Sequence, residues 1–212
     1  MILQSTPQDF SFLIKVPKRE PMDLLVNIKY SAVCHADLHT VNGDWPIPTR
    51  LPLVGGHEEA GICVARGELV TDDDVKIGGA VGVKWLNDSC LSCTFCQQSD
   101  ETLCLKPKLL GYLVDGSFQQ YCVAGAKYVA HIPEGLPLDE LAPILYAGIT
   151  VYKGMKECGA QSGQTVAIID AGGGLGSLTE QYATAMALQV LAIDSGSEEM
   201  SKKMGASVRT SF

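Results

Sequence analysis

Thr165-Val166-Ala167-Ile168-Ile169-Asp170-Ala171-Gly172-Gly173-Gly174-Leu175-Gly176 is an apolar run that breaks at a carboxylate and then into glycines. Short Val/Ile runs bounded by glycine read as buried strands. Leu178–Leu188 follows with helical composition, Val190–Ile193 is a second strand run, Glu198–Met204 a short helix, and Ser207–Arg209 the start of a third strand. Strand–helix–strand–helix–strand in this order predicts a parallel α/β sheet. Such an arrangement is one half of a six-stranded doubly wound sheet, and only that half is expected up to Phe212.

Upstream the texture is different. Leu24–Tyr30, Gly61–Ala65, Ala80–Trp85 and Tyr121–Val123 are short strand runs separated by Gly and Pro, the pattern of a β-rich domain with many turns. Ala147–Lys156 has helical composition and Gly159 is placed to end it. The expected division is therefore a β-rich domain over residues 1–146 and a partial α/β domain over 147–212.

The 212 residues carry a net charge of −8, with 46% hydrophobic and 19% charged side chains. That balance suits a globular domain and argues against nucleic acid or an anionic membrane surface as partner. The start, Met1-Ile2-Leu3-Gln4-Ser5, has neither basic residues nor an apolar run, so no export signal is expected. The apolar stretch near Leu141–Tyr152 is too short to span a bilayer and holds Pro143. A cytoplasmic protein is expected, with its eight cysteines as reduced thiols or metal ligands.

Cys90, Cys93, Cys96 and Cys104 follow the pattern C-x2-C-x2-C-x7-C. Four thiolates on one short loop suit a closed tetrahedral zinc site of structural type. Cys63, Cys122 and Cys158 stand singly in apolar stretches and read as core packing. Cys34 and His57 lie where strand runs give way to turns, with Glu58 beside His57, and Cys, His and carboxylate form a mixed zinc set. Asp37 can orient His57 through its second ring nitrogen.

The segments Lys29–His39, Gly43-Asp44-Trp45-Pro46, Leu51–Gly61, Lys84-Trp85-Leu86-Asn87, Asp115–Tyr121 and Ala142–Lys153 resemble the yeast-type zinc alcohol dehydrogenases of the medium-chain dehydrogenase family. The resemblance runs over nearly the whole chain. It implies a GroES-like β-rich catalytic domain followed by a partial Rossmann domain. It implies Cys34 and His57 as catalytic-zinc ligands and Glu58 as a carboxylate that can swing onto the metal. Trp45 and Trp85 would line the pocket of a small-molecule substrate, or serve packing alone. His39 would end a proton relay, or be a solvated helix residue. His35 would lie near the cofactor pyrophosphate.

The chain departs from that family at several positions. Tyr146 stands where the third ligand cysteine is expected, leaving the second site as Cys34/His57/Glu58 plus water, Cys34/His57/Tyr146, or empty. Ala36 replaces the hydroxyl that takes the alcohol proton. Asp170 replaces the first glycine of a phosphate-binding turn that continues through Gly172, Gly174 and Gly176. Its carboxylate either repels a pyrophosphate or caps the following helix. Asp194 either binds an adenosine ribose, favouring NAD, or caps a helix.

These changes point to a redox-neutral enzyme reusing the cleft for Lewis-acid or acid/base chemistry, such as cyclisation, isomerisation, dehydration or addition. His57, Glu58, Tyr146 and His39 are its expected catalytic groups, and NAD binding is expected to be weak or absent. An NAD-dependent alcohol dehydrogenase and a non-catalytic zinc-stabilised binding protein are the alternatives. The open edge of a half-sheet predicts a homo-oligomer.

Overall fold

In the computed structural model, residues 18–195 and 208–210 are described, and the helix expected over Glu198–Met204 lies outside them. The chain divides into two compact units, Met1–Leu145 and Tyr146–Phe212.

The first unit is built on a five-stranded antiparallel sheet in the order β6-β1-β2-β3-β7. Its strands are β1 (Asp23–Ser31), β2 (Glu59–Arg66), β3 (Ala80–Val83), β6 (Tyr121–Gly125) and β7 (Ala130–His131). Alternation puts Leu24 and Val26 of β1, Cys63 of β2, Val81 and Val83 of β3, and Cys122 and Ala124 of β6 into one buried cluster. The expected Ala80–Trp85 strand stops at Val83, and Leu86–Asp88 forms a separate strand, β4, paired with β5 (Lys108–Leu109). Between β1 and β2 the chain makes α1 (His35–Asn42), closed by Gly43 in the left-handed region, where glycine carries no Cβ penalty. Two single-turn helices complete the unit, α2 (Thr94–Gln97) and α3 (Leu138–Leu141).

The second unit holds α4 (Ala147–Glu157), β8 (Thr165–Ile169), α5 (Gly174–Ala185), β9 (Gln189–Ile193) and β10 (Val208–Thr210). Its parallel three-stranded sheet has the order β10-β9-β8. The helix expected over Leu178–Leu188 instead starts at Gly174 and ends at Ala185. Gly174 and Gly176, which read as part of the turn, already carry helical backbone. Ala187, at φ 58, then turns the chain into β9.

The Thr165–Ile169 run reads as a buried strand from its sequence. Only Ile168 is fully buried, against Met155, Ala183 and Val190, while Thr165, Ala167 and Ile169 are exposed. A strand is covered on both faces only when a layer lies on each. Cys63 and Cys122 are core residues, but Cys158 is exposed at the end of α4. No helix among the described residues is long and apolar enough to cross a membrane.

Candidate active site and metal centre

The first centre forms around α2. The Sγ atoms of Cys90, Cys93, Cys96 and Cys104 all lie within 4.8 Å of one another. Cys96 Sγ is 3.5 Å from Cys93 Sγ and 3.9 Å from Cys90 Sγ. A tetrahedral zinc with bonds of 2.3 Å sets its sulfurs about 3.8 Å apart, so the four thiols fit such an ion. Backbone N–H groups support the sulfurs. Cys93 N donates to Cys90 Sγ, and Cys90 N and Lys106 N donate to Cys104 Sγ, each at 3.3 Å. Hydrogen bonds from Ser92 and from the Cys93 N–H pull the Cys90 thiol down to about 5. Ser89 favours the Cys96 thiolate, but burial and the neighbouring thiols outweigh it and push that thiol up to about 11. A cation is what such a cluster needs to hold all four sulfurs as thiolates.

The second centre is organised by one carboxylate. Asp37, in the first turn of α1, accepts hydrogen bonds from Cys34 N and Gly56 N, both at 3.1 Å. It also faces His57 Nδ1 at 3.3 Å. Asp37 therefore ties the start of α1 to the turn that precedes β2, and so brings Cys34 and His57 together. Gly56 has φ 93, and a Cβ there would sit 2.6 Å from the Phe118 ring, so the turn requires glycine.

His57 is 1% exposed. Burial alone would depress its pKa, yet hydrogen bonds and charge from Asp37 and Cys34 outweigh it and raise the imidazole to about 9. Asp37 is held below the usual carboxylate range by His57 and the two backbone N–H groups, against the effect of its own burial. With Nδ1 facing the carboxylate, a metal would be taken by Nε2 together with Cys34 Sγ, the carboxylate–histidine pattern common at metal sites.

Aromatic rings wall this centre. Trp85 meets His57 edge-on at 4.8 Å between ring centroids. Trp45 lies 5.6 Å from Trp85 and 4.8 Å from Tyr112, and Tyr112 stacks on Trp85 at 5.9 Å. Tyr112 is buried, and its hydroxyl donates to the carbonyl of Ile47. Nothing in the sequence around Leu110-Gly111-Tyr112 marked this residue as part of the wall. His39 stacks at 6.2 Å from Trp45, and its Nδ1 is 2.8 Å from Asp44 Oδ2. Ala36 lies one turn before Thr40, which donates to its carbonyl.

Glu58 is buried. Among the described residues, however, only the four-cysteine loop gathers three or more ligand atoms within 4.8 Å of one another, while Cys34 meets His57 through a side-chain hydrogen bond. Tyr146 is partly buried and stands at the N-cap position of α4, with no side-chain capping hydrogen bond, as the first residue of the second unit.

In the second unit, the turn between β8 and α5 has the shape expected of a phosphate-binding turn. Gly174 faces open space, and a Cβ on Gly176 would sit 2.1 Å from the Asp170 carbonyl, so helix and strand pack closely only through glycine. Gly172 N donates to Asp194 Oδ2.

The sequence profile of the alcohol dehydrogenase GroES-like domain matches residues 20–134, more than half of the chain. The chain belongs to that family. It is 56% identical over 201 residues to alcohol dehydrogenase 1 of Neurospora crassa, an alignment that covers 94% of this chain and 56% of the relative. Acetophenone reductase from Geotrichum candidum, solved in complex with NAD, superposes with a TM-score of 0.81 at 30% identity, over 93% of this chain and 58% of that one. A cobalt- and zinc-bound alcohol dehydrogenase from Pyrobaculum aerophilum superposes with a TM-score of 0.83 at 25% identity, over 93% and 60%. The chain thus spans little more than half the length of these relatives. The two units are the GroES-like β-rich domain and a partial Rossmann sheet of this family.

Proposed function

We propose that this protein oxidises a small alcohol, or reduces the matching carbonyl compound, with zinc and NAD. The observation that carries the reading is the Cys34–His57–Asp37 constellation, with its imidazole buried, walled by Trp45, Trp85 and Tyr112. The relatives named alcohol dehydrogenase support it over the redox-neutral chemistry expected from the changed positions.

Cys34 and His57 would hold zinc, with Glu58 as the nearby carboxylate and Tyr146 at the sequence position of the third thiolate. When bound, zinc polarises the substrate oxygen as a Lewis acid. Gly172, Gly174, Gly176 and Asp194 would hold NAD, which accepts the hydride. A second zinc on Cys90, Cys93, Cys96 and Cys104 would be structural.

Asp37 fixes the His57 tautomer and supplies negative charge behind the ligand. The aromatic wall excludes water and admits a compact, apolar substrate. With NAD bound to supply the hydride acceptor, His39, whose Nδ1 faces Asp44 Oδ2 at 2.8 Å, would take the alcohol proton. The methyl of Ala36 cannot itself relay that proton, so its transfer to His39 would need another carrier.

Ala36 is also the observation that favours a second reading, redox-neutral Lewis-acid or acid/base turnover in the same pocket. Zinc-loaded protein given NAD and a panel of short primary alcohols separates the two. Growth of the NADH absorbance, lost in His57→Ala, is the expected result. Substrate consumption with no NADH, while NAD is bound, overturns the oxidoreductase reading in favour of the second.

A further inference from the structure

β8 ends at Ile169, and Asp170 follows in the left-handed region at φ 57, a conformation that glycine adopts freely and Asp or Asn tolerates. The side chain is exposed and folds back over the turn. Asp170 Oδ2 lies 2.9 Å from where a β-carbon on Gly173 would stand, just ahead of the first residue of α5. Asp194 reaches the same turn from the end of β9. Its Oδ2 accepts the Gly172 N–H and lies 2.8 Å from the corresponding β-position of Gly172. A turn whose N–H groups and helix N-terminus suit an anion thus already holds two carboxylates of its own.

We propose that Asp170 and Asp194 act as an internal anion on this turn, and that Asp170 thereby sets the protein's affinity for the pyrophosphate of a dinucleotide and keeps it low. The inference rests on the NAD reading above. Asp194 can leave Gly172 for a ribose hydroxyl when a nucleotide enters, exchanging one hydrogen bond for another. Asp170 has no such exchange, because its carboxylate lies beside Gly173 at the phosphate end of the turn, away from the strand end where Asp194 would meet a ribose. Its charge therefore opposes the two phosphates of the ligand throughout.

The test is equilibrium binding by calorimetry of NAD, ADP-ribose and adenosine to the wild-type protein, Asp170→Asn and Asp170→Gly, with a thermal shift recorded alongside. Asn keeps the shape and tolerates the left-handed backbone while removing the charge. Both variants are expected to bind NAD and ADP-ribose about tenfold more tightly or better, with no gain for adenosine, which has no phosphate. Equal NAD affinity in all three proteins, or an equal gain for adenosine, overturns the role of Asp170 and leaves the NAD reading standing. No binding of NAD or ADP-ribose by any of the three, with each folded by its melting transition, overturns the NAD reading and this inference with it.

Discussion

Glu59 is a carboxyl sealed against the foot of the turn that carries His57. It is fully buried at the start of β2, its Oε1 accepts from the Ser31 hydroxyl at 3.0 Å, and Gly56 packs over it. Burial pushes it up from 4.5 to about 7, against the opposing pull of Ser117, Ser31 and His57. A raised carboxyl favours the protonated form in the folded protein. Its contribution to stability is therefore complete below about pH 4.5 and is lost as pH rises to about 7, a loss of about 3 kcal/mol. Glu59→Gln keeps an oxygen for Ser31 and cannot ionise. It is expected to be more stable than the wild type at about pH 8, with the difference vanishing near about pH 4 in urea titrations. Parallel pH profiles for the two proteins would show that Glu59 does not titrate as a buried group. Nothing local in Gly55-Gly56-His57-Glu58-Glu59 distinguishes one acid from the other, because Ser31, Ser117 and Phe118 arrive from distant segments.

At the scale of elements, the loop around α2 is too short and too polar to be held by packing. Its four sulfurs replace a core. Cys93→Ser is expected to lose one metal ion per chain and about 3 kcal/mol or more of stability, roughly 6–12 °C in melting temperature. Metal analysis by mass spectrometry beside a melting curve reads both, and an unchanged metal content with an unchanged midpoint refutes the assignment. This loop was legible because all its ligands are neighbours in the chain. The elements β1, β2, β6, α4 and β9 were legible too, because their apolar periodicity is local. The start of α5 was not. Gly174 and Gly176 read as turn residues, and only contact with the Asp170 carbonyl explains a glycine at 176 inside the helix.

At the scale of the whole molecule, β8 ends the sheet order among the described residues, and its Ile169 is 77% exposed. An unpaired edge bearing apolar side chains invites another strand. A second copy of the chain is the proposed occupant, since self-pairing needs no other component. Sedimentation velocity at micromolar concentration is expected to show a dimer that dissociates on dilution, and Ile169→Lys should shift it to monomer. A wild-type monomer at that concentration removes the proposal.

The sequence by itself determined what short-range order can encode: strand and helix periods, the four-thiol spacing, and the glycine turn ahead of α5. It also placed Cys34, Asp37 and His57 in one candidate centre, through a chain of motifs in family order. Only the tertiary structure decided how that centre is held. Asp37 joins the two segments through backbone N–H groups as well as His57, Tyr112 completes the aromatic wall, Glu59 is sealed beneath the turn, and Asp194 already occupies the Gly172 N–H. Each of these depends on atoms far apart along the chain, and their energies come from burial and hydrogen-bond geometry, which exist only once the chain is folded.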